Sequence, residues 1–458
     1  MKKFVPFIAM FQFIAFTAYS QCWKYVSVGG YFSAAISTNG TLWTWGDNFS
    51  GQLGNGTTID IKKPTQIGTD SDWNFISTGQ SHTIAIKSNG SLWAWGIGGA
   101  LGDSTLISKN TPIQIGTDTN WAMVSSSESG HNLAIKKDGS LWAWGGNSAG
   151  QIGNGKTVTQ TTPIQIGLDT NWKSVSCKGF HSLALKVDGS LWAWGENNDG
   201  ELGDGTLINK KIPIQVGSET DWKFISAGTN HSVAIKKEGT IWAWGLNYNG
   251  QIGDGTTVDK NVPTKIGIAD DWEWVASGFS HNAAIKKDGT LWCWGYNHRG
   301  QLGDGTMAQK TKPTKIGFSS LWSLSSCGIY HSSALKTDGT IWVWGENEQY
   351  QIGDSTTISK NKPVMLNCET TSSEDLSASI NSIQIYPNPT QNILNLNEIN
   401  NIISPLNRVE IINKFGQITF GYIDNNKLDV SQLIPGMYIL RVTSTKHQKV
   451  TLKFVKTN

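Results

Sequence analysis

Three things are scarce in this chain of 458 residues. Charge is balanced, 37 Lys and Arg against 35 Asp and Glu, and neither a basic stripe nor an arginine cluster is present. That excludes a nucleic-acid surface, which draws its affinity from neutralising phosphates. Long apolar runs are missing beyond the first eighteen residues, so no internal segment reaches the ~20 residues a membrane helix needs. Cysteine occurs five times, and no unrepeated cluster of His, Asp, Glu or Cys shows catalytic or metal-ligand spacing. No cofactor and no metal are expected.

Tryptophan, by contrast, is abundant and periodic. Leu-Trp-Ala-Trp-Gly or a close variant occurs seven times, its first Trp at 43, 93, 142, 192, 242, 292 and 342. A period near fifty residues fits a four-stranded propeller blade. The unit from Trp222 runs through Gly228, His231-Ser232, Ala234-Ile235-Lys236, Gly239, Trp242-Ala243-Trp244-Gly245, Asn247, Gly250-Gln251-Ile252-Gly253-Asp254-Gly255-Thr256 and Pro263. Repeat two lacks two residues within Gly96–Gly102, and repeat three has one extra before His131.

Each unit divides into four strands. The Asn-Gly or Asp-Gly pair between the second and third, as at Asp138-Gly139, predicts a tight hairpin with positive φ angles. A proline opening the fourth, from Pro64 to Pro363, cannot donate to a ladder and marks an outer edge. Two Trp at spacing two share one face of the third strand, while Leu and Ala share the other, so a large face can meet a small one on the next blade. A residue repeated in every blade is best explained by the contact every blade shares, so these Trp are read as packing rather than as a sugar-stacking platform.

With these motifs, the units resemble the regulator of chromosome condensation repeat family over residues 23 to 366. The resemblance implies a seven-bladed β-propeller whose members share a binding ring rather than a reaction.

The two ends read differently. Lys2-Lys3, an apolar stretch from Phe4 to Ala18 and a small-residue site before Gln21 predict a signal peptide over residues 1–20. Tyr19-Ser20-Gln21 lacks the small apolar residues expected before a lipidated Cys22. The propeller is assigned to 21–368 and a polar linker to 369–377. Residues 378–458 carry short alternating strands that predict a small β-sandwich. Within them, Ile385-Tyr386-Pro387-Asn388-Pro389, Leu394-Asn395-Leu396, Leu428–Leu433, Pro435-Gly436-Met437-Tyr438 and Lys453-Phe454-Val455-Lys456 resemble the C-terminal sorting domain of the type IX secretion system. That resemblance implies recognition by secretion machinery and passage through periplasm and outer membrane to the exterior or cell surface.

Several motifs are read as structural. Gly150–Thr157 satisfies the phosphate-loop pattern, but the other blades carry the same loop without Lys156 and no helix follows. His82, His131, His181, His231, His281 and His331, with Phe32 in the first blade, form a ring without co-ligands and are expected to be buried, bonded to backbone. Cys177, Cys293 and Cys327 occupy small-residue slots and are expected to be free. Cys22 and Cys368 align with a blade junction and are expected to form a disulfide clasping the ring.

Functional residues should instead differ between blades. The first-to-second and third-to-fourth connections share one face of the ring, opposite the Asp-Gly hairpins. The variable residues there are Tyr31, Phe32, Phe49, Phe180, Tyr248, Phe279, Tyr296, His298, Arg299, Tyr330 and Tyr350. Tyr and Arg with scattered Phe match protein-binding hot spots. The expected function is a secreted, non-enzymatic ring that binds an extracellular protein or glycan. The alternatives are a lyase or hydrolase at the channel mouth and a structural or adhesive coat.

Overall fold

A computed structural model describes residues 23–366 and, beyond them, 390, 392–396, 406–413, 418–421, 423–424, 427–444 and 449–457. The predicted signal peptide, the linker and both clasp cysteines lie outside the described residues. By its contacts the chain divides into two units, Met1–Cys368 and Glu369–Asn458.

The first unit is a seven-bladed propeller of antiparallel four-stranded sheets, each in simple sequential order. In blade 5 the strands are Trp222–Ala227, His231–Lys236, Ile241–Gly245 and Lys260–Lys265. The first strands of all seven blades line a central cavity of about 180 Å³, and the fourth strands form the exposed rim.

Side chains weld blade to blade as the alternation predicts. Trp172, Val175, Ala184 and Trp194 of blade 4 pack on Leu133, Ile135, Leu141, Ala143 and Ile152 of blade 3. Three Trp per blade take part, because the Trp that opens the blade meets both others, as Trp172 meets Trp192 at 5.7 Å and Trp194 at 6.4 Å. The second Trp of each core is fully buried. In every blade but the second, where the Trp95 N–H has no partner, its indole N–H donates to a backbone carbonyl of the preceding blade, Trp194 to Gln151 at 2.8 Å and Trp244 to Glu201 at 2.9 Å. Gly153 stands so close to Trp194 that an added Cβ would lie 2.8 Å from the indole nitrogen.

The ring closes with the same parts. Trp45 donates to the Gln351 carbonyl at 3.0 Å, and the Trp23 N–H reaches the Gly339 carbonyl as that of Trp73 reaches Gly40. Trp23, Trp43 and Trp45 share a core with Leu335, Ile341, Val343 and Ile352.

Two local expectations change. The hairpins are three-residue loops: the Gly139 N–H donates to Lys136 O and the Lys136 N–H to Ser140 O, with positive φ only at Gly139. Asp138 instead caps the turn, accepting from the Ser140 N–H at 2.9 Å. The prolines do not open the fourth strand. Pro64 sits inside Ile61–Ile67, at the irregularity between the pairs Gly46–Ile61 and Thr44–Thr65, where a missing N–H costs no ladder bond.

The C-terminal unit packs a three-stranded against a four-stranded sheet. Leu394, Leu396, Val409, Ile411, Leu428, Val430, Leu440, Val442 and Phe454 form their common core, the expected β-sandwich. Among the described residues no helix is long and apolar enough to cross a membrane.

Candidate binding face

The histidine ring lies just beneath this face. All six imidazoles are buried, and each Nε2 meets a Ser or Asn side chain of the next blade rather than backbone. His181 Nε2 meets Ser232 Oγ at 2.9 Å, and that hydroxyl donates to the Glu201 carbonyl at 2.8 Å. With its own hydrogen committed, the Ser oxygen accepts, so Nε2 carries the proton. The Asn282 side chain does the same for His231, accepting at 2.9 Å while its amide N–H donates to Gln251 O. Burial pushes the histidines down, to about 4 at His82 and His231 and about 3 at His131, His181 and His331, so they stay neutral. Nδ1 of His181, His231, His281 and His331 has no partner.

Phe32 is a correction. It is fully buried in the slot that His fills elsewhere, with the Gly29 backbone against its ring, and cannot belong to a binding surface.

Seven of the other variable residues come together. Phe279 meets Tyr330 at 5.8 Å, Tyr330 meets Tyr296 at 6.1 Å, and Tyr296 meets His298 at 4.8 Å. Arg299 pairs with Glu346 at 3.3 Å and Glu348 at 3.1 Å. Burial raises Glu346 while the guanidinium opposes the shift. Tyr31 is near enough to feel Glu346, Tyr330, Glu128 and Arg299, although burial is the main cause of its raised phenol pKa. Phe180 shares a cavity with Phe279. Three residues stay apart: Phe49 and Tyr248 are singly exposed, and Tyr350, in a glycine slot at φ 59°, packs under Lys62.

The cavity, about 550 Å³, opens where the repeat breaks. Blade 2 keeps the carbonyl that its neighbour needs, Ala100 accepting from Trp144 and Asn132. Its shortened loop lacks the Asn that elsewhere braces this connection, as Asn247 does by bonding Asp254, Thr256 and Val258. Ile97, Gly98 and Gly99 line the space left behind.

Glu128 and Lys178 are the functional candidates that the emphasis on aromatics missed. They are the only charged residues in the seven short loops before the His position. Glu128 Oε2 accepts from Thr229 Oγ1 at 2.7 Å, and Lys178 approaches Glu128 Oε1 at 3.6 Å while its ammonium donates to the Cys327 carbonyl of blade 7. Lys178 takes a slot that is Gly in five blades. In blade 5 a Cβ on Gly228 would stand 2.2 Å from the His231 ring.

Cys177, Cys293 and Cys327 are free and buried, as expected. Burial raises the thiols of Cys177 to about 12 and Cys327 to about 11, which leaves them unreactive. Among the described residues no group of three or more His, Cys, Asp or Glu could hold a metal.

Comparisons agree with the architecture. The RCC1-like domain family matches residues 166–383, and regulator of chromosome condensation repeats match 39–86 and 138–185 and, in a second form, 23–52, 74–99 and 124–151. A secretion system C-terminal sorting domain matches 384–457. Yeast RCC1 (Prp20) in its complex with Kap60 is 20% identical, covering 77% of this chain and 86% of that one at a TM-score of 0.65. Prp20p from Saccharomyces cerevisiae, in a structure described with its binding to Gsp1p and histones, is 22% identical over 77% and 89% at 0.63. Human WBSCR16 is 21% identical over 69% and 87% at 0.63. At such identities the likeness shows the fold alone. A comparison with curated proteins returns no match.

Proposed function

We propose, from the premise that this chain is a propeller of the regulator of chromosome condensation repeat family joined to a secretion-system sorting domain, that it works outside the cell as a non-enzymatic recognition ring. It binds an extracellular protein or glycan through the face bearing Tyr31, Phe180, Phe279, Tyr296, His298, Arg299 and Tyr330. The observation that carries this reading is the unbroken chain of ring contacts from Phe279 through Tyr330 and Tyr296 to His298, beside Arg299 braced by two carboxylates. None of these residues is required by the repeat. Aromatic rings and a braced Arg offer large contact area at low ordering cost. The sorting domain supports delivery to the surface or the medium by a type IX-like route.

Replacing Tyr296, Arg299 and Tyr330 together by Ala should abolish capture of material from neighbouring-cell surfaces. The melting temperature should change little, as surface substitutions cost about 1–2 kcal/mol in sum. Lys287→Ala, on the opposite face, is the control. Undiminished capture by the triple variant refutes the face. Removing residues 378–458 should hold the propeller in the periplasm, and normal surface delivery without them refutes the export route.

A further inference from the structure

The cavity between blades 2 and 3 is where a break in the repeat, an unsatisfied buried side chain and unrepeated aromatic walls coincide. Its floor holds Glu128, whose side chain is nine-tenths buried. Oε2 is satisfied by Thr229, while Oε1 has only the Lys178 ammonium at 3.6 Å, too far for a hydrogen bond, and a buried acceptor left without a hydrogen bond is costly. The walls are Phe180, Phe279, Ile97 and Ile329, with Gln80 at the rim.

Charge decides what fits. Lys178, on the channel side, already balances the Glu128 carboxylate. A cationic group entering the cavity would lie near a second ammonium, and an anion would meet the carboxylate. What remains unmet is one acceptor that needs a neutral donor, beside flat apolar walls. A sugar ring offers both, with hydroxyl donors on its edge and C–H groups across its face. A space of about 550 Å³ admits one or two such rings.

We propose that this cavity binds a neutral glycan, with a sugar hydroxyl donating to Glu128 Oε1 and the ring packed against Phe180 and Phe279. The proposal rests on the reading that this face recruits an extracellular partner, and it narrows that partner to a saccharide. The full-length chain would be tested on an array of cellohexaose, laminarihexaose, maltohexaose and mannohexaose, with oligogalacturonate and a heparin hexasaccharide as acidic members. At least one neutral member should be retained. Glu128→Gln and Phe180→Ala should each weaken its Kd at least tenfold, and Lys287→Ala should not; the melting temperature should be unchanged in Phe180→Ala and should fall in Glu128→Gln by no more than it does in Lys178→Gly, which loses the same ion pair. Phe180 is partly exposed, so its truncation leaves the blade packing intact. Retention of acidic members only, no retention, or neutral binding indifferent to both substitutions overturns the proposal. If surface capture still depends on Tyr296 and Arg299 while no neutral sugar binds, the glycan assignment fails and the recognition face stands. If capture fails as well, both fall.

Discussion

Two sets of residues circle the mouth of the channel within three positions of each other in every repeat. One set is nearly uniform, with His in six blades and Phe32 in the seventh, each buried against the next blade. The other, in the short loop just before it, reads Gly-Gly-Tyr, Gly-Gln-Ser, Ser-Glu-Ser-Gly, Lys-Gly-Phe, Gly-Thr-Asn, Gly-Phe-Ser and Gly-Ile-Tyr around the ring. The six histidines of the uniform set each meet a Ser or Asn side chain of the next blade, and Phe32 fills the same buried slot without that bond, so a departure from the set would disturb packing that recurs around the ring. The variable set faces solvent or a cavity, and it holds the Glu128–Lys178 pair and, in Phe279 and Tyr330, half of the ring chain that Tyr296 and His298 complete from the connection after the Trp-Gly. Seven copies of one blade thus act as an internal control: what the fold needs is repeated, and what it does not need can serve recognition.

The uniform set should give the largest response, to acid. Five of the buried histidines hold folded-state pKa values of about 3 to 4, and burial pushes His281 well down too, against about 6.5 when unfolded. Below pH 6.5 the unfolded chain therefore takes up protons that the folded chain refuses. Stability falls with falling pH, by up to about 1.4 kcal/mol per unit for each His. The five with such values together lose on the order of 10 kcal/mol by pH 4.5, comparable to the whole stability of a typical domain. Calorimetry across pH 7 to 4 should show a steep drop in melting temperature. A flat profile would mean that these histidines are not held neutral.

The closing junction can be set against the internal ones. Trp23 and Leu366 sit at the closing junction as Trp73 and Ile67 do at an internal one. We propose that Cys22 and Cys368 join there, closing a loop of about 350 residues with up to about 5 kcal/mol of chain-entropy stabilisation. Non-reducing peptide mapping should find that pair, and reduction should lower the melting temperature. Finding either cysteine free, or joined to Cys177, Cys293 or Cys327, excludes the clasp.

How legible all this was in the sequence depended on whether a signal repeats. The period, the four strands and the welding Trp repeat seven times, so blade architecture could be read directly. The hairpin loop length could not, because Asp-Gly suits both a two-residue turn and the three-residue loop observed, and the backbone bonds from Gly139 to Lys136 and from Lys136 to Ser140 are what tell them apart. Phe32 misled for a related reason: as the one non-His in its column it looked functional, yet an aromatic ring can fill an imidazole's space without its hydrogen bond. Glu128 and Lys178 carried a legible signal, charge in a column otherwise without it, but their meeting across a blade junction required coordinates.

Lys178 sharpens the comparison further, because it is a variable residue in a slot that is otherwise almost always Gly. Gly228→Ala should cost about 1–3 kcal/mol, since its Cβ would collide with the His231 ring. Lys178→Gly should cost no more than the loss of a partly buried ion pair, and it should open that mouth of the channel. Urea melts of the two variants would test this. Equal costs would show that the slot's preference for Gly is not steric.

An effect smaller than that of the histidines together is expected at Glu201, where blade 4 carries a carboxylate in a column that is Gln in five other blades. One oxygen accepts from the Asp199 N–H at 2.9 Å, the bond that Gln251 makes with Asn249. The other has no partner. Burial is the main cause that raises this carboxyl to about 7, with Asp199 and Glu196 adding to it. A raised folded-state pKa means that the folded chain keeps a proton the unfolded chain has released. Stability is therefore full below about pH 4.5 and declines as pH rises toward 7. Glu201→Gln keeps the accepting oxygen and removes the ionisation. It should stabilise the propeller by up to about 3 kcal/mol at pH 8 and by little at pH 4.5. Because this trend opposes that of the histidines, the two can be separated: the variant's acid limb should match the parent's while its alkaline limb rises. A gain of the same size at both pH values would mean that better packing, not the removed charge, explains why the other blades carry Gln.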